Sequence, residues 1–472
     1  MNAEKKSQWG RQCSNSDWAG LVCGVLMSLT GGVIAEPGPA YLAAEAPVTP
    51  ELRGDRSATA TVGAIPEDLL NQYDPFAVLP RKWLPSLREK YIPKTGHSFV
   101  DGIQFEVKPR FYYFHRDVES EGIQETAAFG GELGVESGWF RDWFRVGLTL
   151  YTSQKIYGPS DRDGLNLLAP GQHGYTALGE AYADFRHGEN LLRAGRSRVD
   201  LPYINANDFR MTPHTFEMVG FRIASIENLR IGAGHVARIK TQTSTDFESM
   251  SSVAGSDQGD RGVSIVSLRY EFSDETFVAA SEQYGWDMFN SFYVEAETLI
   301  EWSDDLKLEL GVQFTDQRSV GDEWLGDFKT QSAGVKVALQ YCNFAAALSY
   351  QRTANGSGVL KPWGGSPAYN SSIIQDFDRA GEESFRLGLT YDFAPHGLDG
   401  VSVDTSWIIG DTPDSGSQAS PDQQEFDFTI DYKPSVELFD GVWFRARYAK
   451  NWIDEGNDIE DIRFILNYSY QF

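Results

Sequence analysis

Along most of this chain apolar and polar residues alternate at a period of two. The last eleven residues show it plainly. Ile462, Phe464, Leu466, Tyr468, Tyr470 and Phe472 share one parity, and Arg463, Ile465, Asn467, Ser469 and Gln471 share the other. Successive side chains of a strand point to opposite faces, so this period belongs to strands with different surroundings on their two sides. Applied from residue 104 onward, the template predicts strands at 104–116, 128–138, 143–152, 176–186, 191–199, 216–225, 229–238, 262–272, 276–285, 290–301, 306–315, 331–341, 344–352, 383–393, 401–410, 425–437, 442–452 and 461–472. After every second strand the link is short, as in "HGEN" at 187–190, "IEN" at 226–228, "SDD" at 303–305 and "CN" at 342–343. The intervening links are mostly longer, such as 153–175, 239–261 and 353–382. Short and long links in alternation are the mark of a membrane barrel with tight periplasmic turns and long external loops. The predicted fold class is therefore all-β: a transmembrane antiparallel β-barrel of about 18 strands with both termini on the periplasmic side. A closed sheet is also the one sheet that leaves no backbone group unpaired in lipid. With that many strands the interior is too wide for side chains to fill, so it should hold water.

The residues before 104 read differently. Lys5, Lys6 and Arg11 precede the apolar run "WAGLVCGVLMSLTGGVIA" at 18–35, which ends in small residues and has the form of an export signal. Residues 1–35 are assigned to a signal peptide, 36–103 to a periplasmic N-terminal extension or linker broken by Pro75, Pro80, Pro85 and Pro93, and 104–472 to the barrel. No later segment approaches the ~18 apolar residues of a membrane helix. Composition agrees. Aromatic residues make up 13% of the chain and Gly numbers 46, yet mean hydropathy is only −0.37. That combination suits apolar side chains diluted by alternation. The formal charge of −26 argues against nucleic acid as a partner.

Catalytic signatures are absent from the sequence. The seven histidines form no H-E-x-x-H pair, and there is no G-x-S-x-G elbow or Walker loop. Neither an enzyme nor a cofactor or metal site is expected. The informative pattern is the placement of cations in so acidic a chain. Inward parity carries Lys108 and Arg110 on the first strand, then Arg145, Arg186, Arg269 and Arg386. Arg445 and Arg447 share a face on the seventeenth strand, beside Arg463 on the eighteenth. The eighteenth strand closes against the first, so these predict a basic stripe down one wall. Lumen positions are solvated and tolerate any polar residue, so pairing with inward Glu106, Asp184, Glu295, Glu297 or Asp431 is the plainer account. A pore lined by fixed charge would select by charge. Acidic residues gather in links on the external side, at 117–125, 321–327 and 454–461. Solvation explains them, and bridging to lipopolysaccharide through divalent cations is the sharper alternative. The link "DLPYINANDFRMTPHTFE" at 200–217 stands apart, stiffened by Pro202 and Pro213 and of mixed charge. It suits a loop folded into the bore.

Residues 193–221, 228–244, 371–393 and 444–472 carry a resemblance. "RAGRSRVDLPYINANDFRMTPHTFEMVGF", "NLRIGAGHVARIKTQTS", "SSIIQDFDRAGEESFRLGLTYDF" and "FRARYAKNWIDEGNDIEDIRFILNYSYQF" resemble the OprD-like outer-membrane porins. The resemblance runs from about 104 to 472. It implies an eighteen-stranded barrel, competent as a monomer, for passive uptake of small solutes bearing a carboxylate, such as amino acids and organic acids. It implies a basic ladder, matched here by Lys108, Arg110, Arg186, Arg445 and Arg447. It also implies constriction by the third and seventh external loops, matched for the third by 200–217, with Asp200, Tyr203 and Asn207 along it and Asp208 and Arg210 at its tip. Lys450 lies on the other parity, and the 36–103 lead-in is longer than the resemblance would give.

The leading expectation is thus a substrate-selective diffusion channel of the bacterial outer membrane. An outer-membrane barrel hydrolase, or a structural barrel plugged by residues 36–100, are the alternatives. Expected partners are outer-membrane lipid and lipopolysaccharide, small-molecule solutes, the barrel-assembly machinery during biogenesis, and further copies of the chain in a homotrimer.

Overall fold

Eighteen alternating runs become eighteen strands. The computed structural model describes residues 82–83, 90–91, 94–416, 419–436 and 439–472. The strands are β1 (Gln104–Val118), β2 (Gly122–Glu136), β3 (Phe144–Tyr157), β4 (Tyr175–His187), β5 (Asn190–Ser197), β6 (Thr215–Ile226), β7 (Leu229–Lys240), β8 (Val263–Ser273), β9 (Thr276–Gly285), β10 (Phe289–Ser303), β11 (Leu306–Ser319), β12 (Lys329–Tyr341), β13 (Phe344–Thr353), β14 (Glu383–Asp392), β15 (Val401–Asp411), β16 (Gln423–Tyr432), β17 (Val442–Ile453) and β18 (Ile459–Tyr468). Each pairs antiparallel with the next, and β18 pairs with β1, so the sheet has no free side. Closure runs from Val118↔Ile459 to Arg110↔Asn467 and resumes at Val107↔Tyr470 and Glu106↔Gln471 in the same register. The gap falls at Pro109, which has no N–H to give.

The two faces of the wall meet different surroundings. Leu133, Leu148, Val219, Phe221, Val266, Leu268, Val335, Val337, Phe464 and Leu466 point outward and are exposed. An apolar band of this kind is stable only against hydrocarbon. Lys108, Arg110, Glu132, Arg145, Asp184, Glu295, Arg386, Arg445 and Arg463 point inward and are buried. At the periplasmic rim Phe105 and Phe472 exchange backbone hydrogen bonds of 2.8 and 3.0 Å and stack at 5.2 Å. The overhanging Tyr470–Gln471 edge takes a parallel pair from Lys82–Trp83. A helical turn, Ser98–Asp101, sits under the first periplasmic turn, with Phe99 against Phe140 and Phe144 and Ser98 Oγ donating to Trp139 O at 2.6 Å. The leader and most of the extension lie outside the described residues.

Some strand limits differ from the alternation count. The link expected at 117–125 shrinks to 119–121, because β1 and β2 both run past it. The strand expected at 425–437 ends at Tyr432, ahead of Pro434. Residues of the 200–217 link enter β6 at Thr215.

The external loops fold inward, and the larger apolar cores among the described residues join them to the wall. One joins Val199 and Ile204 of the third loop (198–214), Met250 of the fourth (241–262), Met288 of the fifth (286–288) and Trp363 of the seventh (354–382) to Phe216, Val236, Ile239, Val263, Ile265 and Phe289 of the wall. The other packs Leu165, Leu167 and Leu168 of the second loop (158–174), with Met211, against Tyr112, Phe114 and Ala128.

Candidate functional site

The third loop crosses the bore. It begins as a two-residue hairpin, Asp200–Leu201 with Ile204–Asn205, turned at Pro202 and Tyr203. Tyr203 has φ of 63°, a region that favours glycine, so its place there is set by its side chain. The Tyr203 hydroxyl lies 2.6 Å from Thr315 Oγ1 on β11, and its ring meets Tyr293 of β10 edge-on at 6.2 Å. Beyond the hairpin Asn207 turns the chain at φ of 44°, and Gln242 of the fourth loop donates to its carbonyl. The tip then reaches the far wall. Arg110 of β1 holds Asp208 through both terminal guanidinium nitrogens at 2.8 and 3.0 Å, and also donates to Arg210 O.

The seventh loop enters from β13 and β14. Trp363 stacks on Phe289 at 5.1 Å and donates from Nε1 to Met250 O at 2.8 Å. Asn205 of the third loop exchanges two hydrogen bonds with Gly365, at 2.9 and 3.1 Å. His214 faces the Trp363 carbonyl at 3.5 Å, and burial together with Lys240 holds its imidazole down at about 4, so it is neutral. Further in, Tyr369 lies over Gly311, where a Cβ would stand 2.4 Å from its hydroxyl. That hydroxyl faces Glu297, which also holds Lys336 at 2.6 Å. The tip is fixed to the wall of β16 and β18. Glu425 accepts from Ile374 N and Gln375 N at 2.7 and 2.9 Å, and Arg463 donates to Ile373 O at 3.0 Å.

Both tips converge on the wall built by β16, β17, β18 and β1. Register places Arg447, Arg463 and Phe114 side by side across three strands, all facing inward. The Phe114 ring is fully buried beneath cations: Arg463 at 4.4 Å, Arg210 at 5.3 Å and Arg116 at 5.4 Å from its centroid.

The cations of the stripe differ in how far their charge is answered. Lys108 lies 3.2 Å from Glu106 and 3.5 Å from Glu132. Arg145 bridges Glu136 and Asp184 at 2.6 and 2.8 Å, and Arg186 meets Asp142 in the periplasmic turn. Arg445 grips Asp431 at 2.7 and 2.8 Å. Arg463 has Asp461 at 2.5 Å on one nitrogen, while its Nε has no partner among the described residues. Arg386 reaches the carbonyls of Tyr369 and Ser371 at 3.4 and 3.3 Å but has no ion-pair partner among the described residues. Arg447 makes no hydrogen bond or ion pair among the described residues. Among the described residues the Arg210 side chain bonds only its neighbour's carbonyl, Phe209 O, at 3.3 Å, and burial with Arg463 nearby lowers its guanidinium to about 10, still charged at neutral pH.

Alternation missed several members of this wall. Arg116 shares the parity of Arg110 and pairs with Asp461 at 2.6 Å. Lys433 lies just beyond β16, 5.3 Å from the Trp443 ring, and burial with Arg445 lowers it to about 8. Its signal was Pro434, which ends the strand. Lys450 faces outward beside Glu460 and Trp452, as its parity required. Arg269 is taken up by Glu271 at 2.9 Å, away from the tips.

Comparison with known proteins gives a consistent result. The model of the outer membrane porin, OprD family, matches residues 97–472. The fold is similar to that of OccK9 (OpdG) from Pseudomonas aeruginosa, with a TM-score of 0.73 at 22% identity over 79% of this chain and 100% of that one. It is similar to OpdK with vanillate from the same organism, with a TM-score of 0.73 at 19% identity over 79% and 100%. A BenF-like porin from Pseudomonas fluorescens Pf-5 gives 0.72 at 18% identity over 79% and 100%. No curated protein sequence matches.

Proposed function

The chain belongs to the OprD family of outer-membrane porins, and from that premise we propose that it is a passive, substrate-selective diffusion channel for small water-soluble carboxylates, such as amino acids and organic acids. One observation carries the reading. Where the third and seventh loops meet the wall, Arg447 and Arg210 have no ion-pair partner among the described residues, in a chain of net charge −26. A guanidinium presents planar donors that match a carboxylate, and in a narrow bore its field is focused rather than dissipated. A passing carboxylate exchanges part of its water for Arg447, Arg463 and Arg210. The neighbouring Asp461 and Asp208 keep that attraction moderate, which lets the solute leave again. The vanillate of the similar OpdK structure is a solute of this class. Lys108, Arg110, Arg145, Arg186, Arg386 and Arg445 shape the field around this step from paired or partly satisfied positions. In assembly, the barrel-insertion machinery is the proposed partner, with a homotrimer as the oligomeric state to be checked by sedimentation in detergent.

Reconstitution in planar bilayers tests the reading. Arg447→Ala alone should lower both anion preference and carboxylate flux, and adding Arg445→Ala should deepen the loss only slightly. Unchanged reversal potential and flux in the double variant would remove the basic wall from the mechanism.

A further inference from the structure

The seventh loop has a neck. Its outgoing and returning legs meet where Val359 N donates to Asp378 O at 3.1 Å. Two residues further in, Lys361 Nζ lies 2.5 Å from Asp378 Oδ2 and 3.2 Å from Asp376 Oδ2. The lysine is on the outgoing leg and both carboxylates are on the returning leg. Ser366 Oγ adds a contact of 3.5 Å to Asp378. Val359 packs here with Tyr203 of the third loop and Tyr293 of the wall. Everything between the legs, residues 362–375, is the part of the loop that enters the bore. It includes Ile373, whose carbonyl meets Arg463 at 3.0 Å.

We infer that Lys361 is a positioning residue for the channel: it clamps the two legs of the seventh loop together and so sets where the Ile373 tip stands beside Arg463 and Arg447. The inference rests on reading this tip as one side of the conducting constriction.

The physical case is one of asymmetry. With Lys361 present, one cation answers two carboxylates. Without it, Asp376 and Asp378 face each other at the neck with only the Ser371 and Ser366 hydroxyls on their carboxylates and no cation to answer them. Other charged or titratable groups near Asp378 are Glu382, whose carboxylate is answered by the adjacent Arg379 at 2.8 Å, and the Tyr203 hydroxyl. Asp378 is only 9% exposed, so water screens its end of the repulsion little, while Asp376 is a third exposed. Burial pushes its carboxyl up to about 6 even with the lysine in place. The legs are joined by isolated backbone hydrogen bonds rather than a ladder, so repulsion at the neck is free to spread them. The tip's own ties, to Glu425, Arg386 and Arg463, are made to wall side chains, and they hold the tip without fixing the separation of the legs.

Single-channel recording of the purified full chain tests this. Lys361→Met should lose the steady single conductance level and show transitions to a larger one. Lys361→Arg keeps the charge and should restore the steady level. Lys361→Met with Asp378→Asn removes the repulsion and should recover most of it, a rescue that mere loss of packing would not give. A steady wild-type level in Lys361→Met, or no recovery in the double variant, would overturn the inference. Should Lys361→Met fail to insert, Asp376→Asn gives the milder reading: one arm of the clamp is lost, some flicker is expected, and none would count against it. The two proposals fail separately. Loss of anion preference in Arg447→Ala beside a steady Lys361→Met leaves the carboxylate reading and removes the clamp. The reverse pattern leaves the clamp and removes the carboxylate reading.

Discussion

Arg445 and Arg447 lie two residues apart on one face of β17, and their surroundings make them different groups. Arg445 shares Asp431 with the Trp443 indole, which donates to the same carboxylate at 2.6 Å. Arg447 makes no hydrogen bond or ion pair among the described residues, and Arg445 and Arg463 repel it more strongly than Asp431 attracts it. Removing Arg445 leaves Asp431 buried with its counter-charge gone, so Arg445→Ala should cost about 3 kcal/mol of barrel stability. Removing Arg447 takes away a repulsion instead, and Arg447→Ala should stay within about 0.5 kcal/mol of the parent. Urea unfolding of the two variants from lipid vesicles checks the split, and equal losses would contradict it. Parity along β17 sends both side chains inward. It carries no information on Asp431, which becomes the partner of Arg445 only through the register of β16 against β17.

At the scale of elements, the wall follows from alternation and the loops do not. Eighteen strands were legible because the pleat repeats every two residues whatever the side chains are. The inward positions Phe216, Val236, Ile239, Val263, Ile265 and Phe289 break the polar-inside rule, because they face folded-in loops rather than water. That exception depends on where loops from distant parts of the chain come to rest. Gly311 is a second case. In the sequence it is a glycine in a strand; in the barrel it is the gap that lets Tyr369 lie against β11. Gly311→Ala puts a methyl 2.4 Å from the Tyr369 hydroxyl, too close to keep the contact with Glu297. The expected outcome is a loss of about 1–3 kcal/mol with a changed single-channel conductance. Adding Tyr369→Phe removes the clashing oxygen and should recover part of both. A conductance unchanged in Gly311→Ala would show that Tyr369 does not hold the seventh loop in place.

For the whole molecule, two fields of opposite sign lie along one path. The exposed residues Glu119, Glu121, Asp454 and Glu455 surround the external ends of β1, β17 and β18, directly above the wall that carries Arg447 and Arg463. An acidic collar therefore stands over the wall that carries these two arginines. Exposed charges act through solvent and fade once the screening length falls from ~10 Å at 0.1 M salt to ~3 Å at 1 M. Charges met at contact distance in the bore fade far less. Neutralising the four collar residues should therefore shift the reversal potential at low salt and have little effect at high salt. The shift caused by Arg447→Ala should survive at both. A collar effect that persists at high salt would mean those carboxylates lie in the conducting path.

Alternation alone sets the strands, their number, the facing of residues away from the bulges, and the outer-membrane barrel that follows. Each of these is set by backbone geometry that repeats locally, so neighbouring residues are enough to read it. The tertiary structure alone decided which inward charges are answered. Arg110 meets Asp208, Arg463 meets Ile373 and Lys361 meets Asp378 through loops that return to the wall from far along the chain or from the opposite leg of one excursion. Those meetings depend on strand register and loop path, where moving one residue by a few ångströms makes or breaks an ion pair, and no local pattern records them.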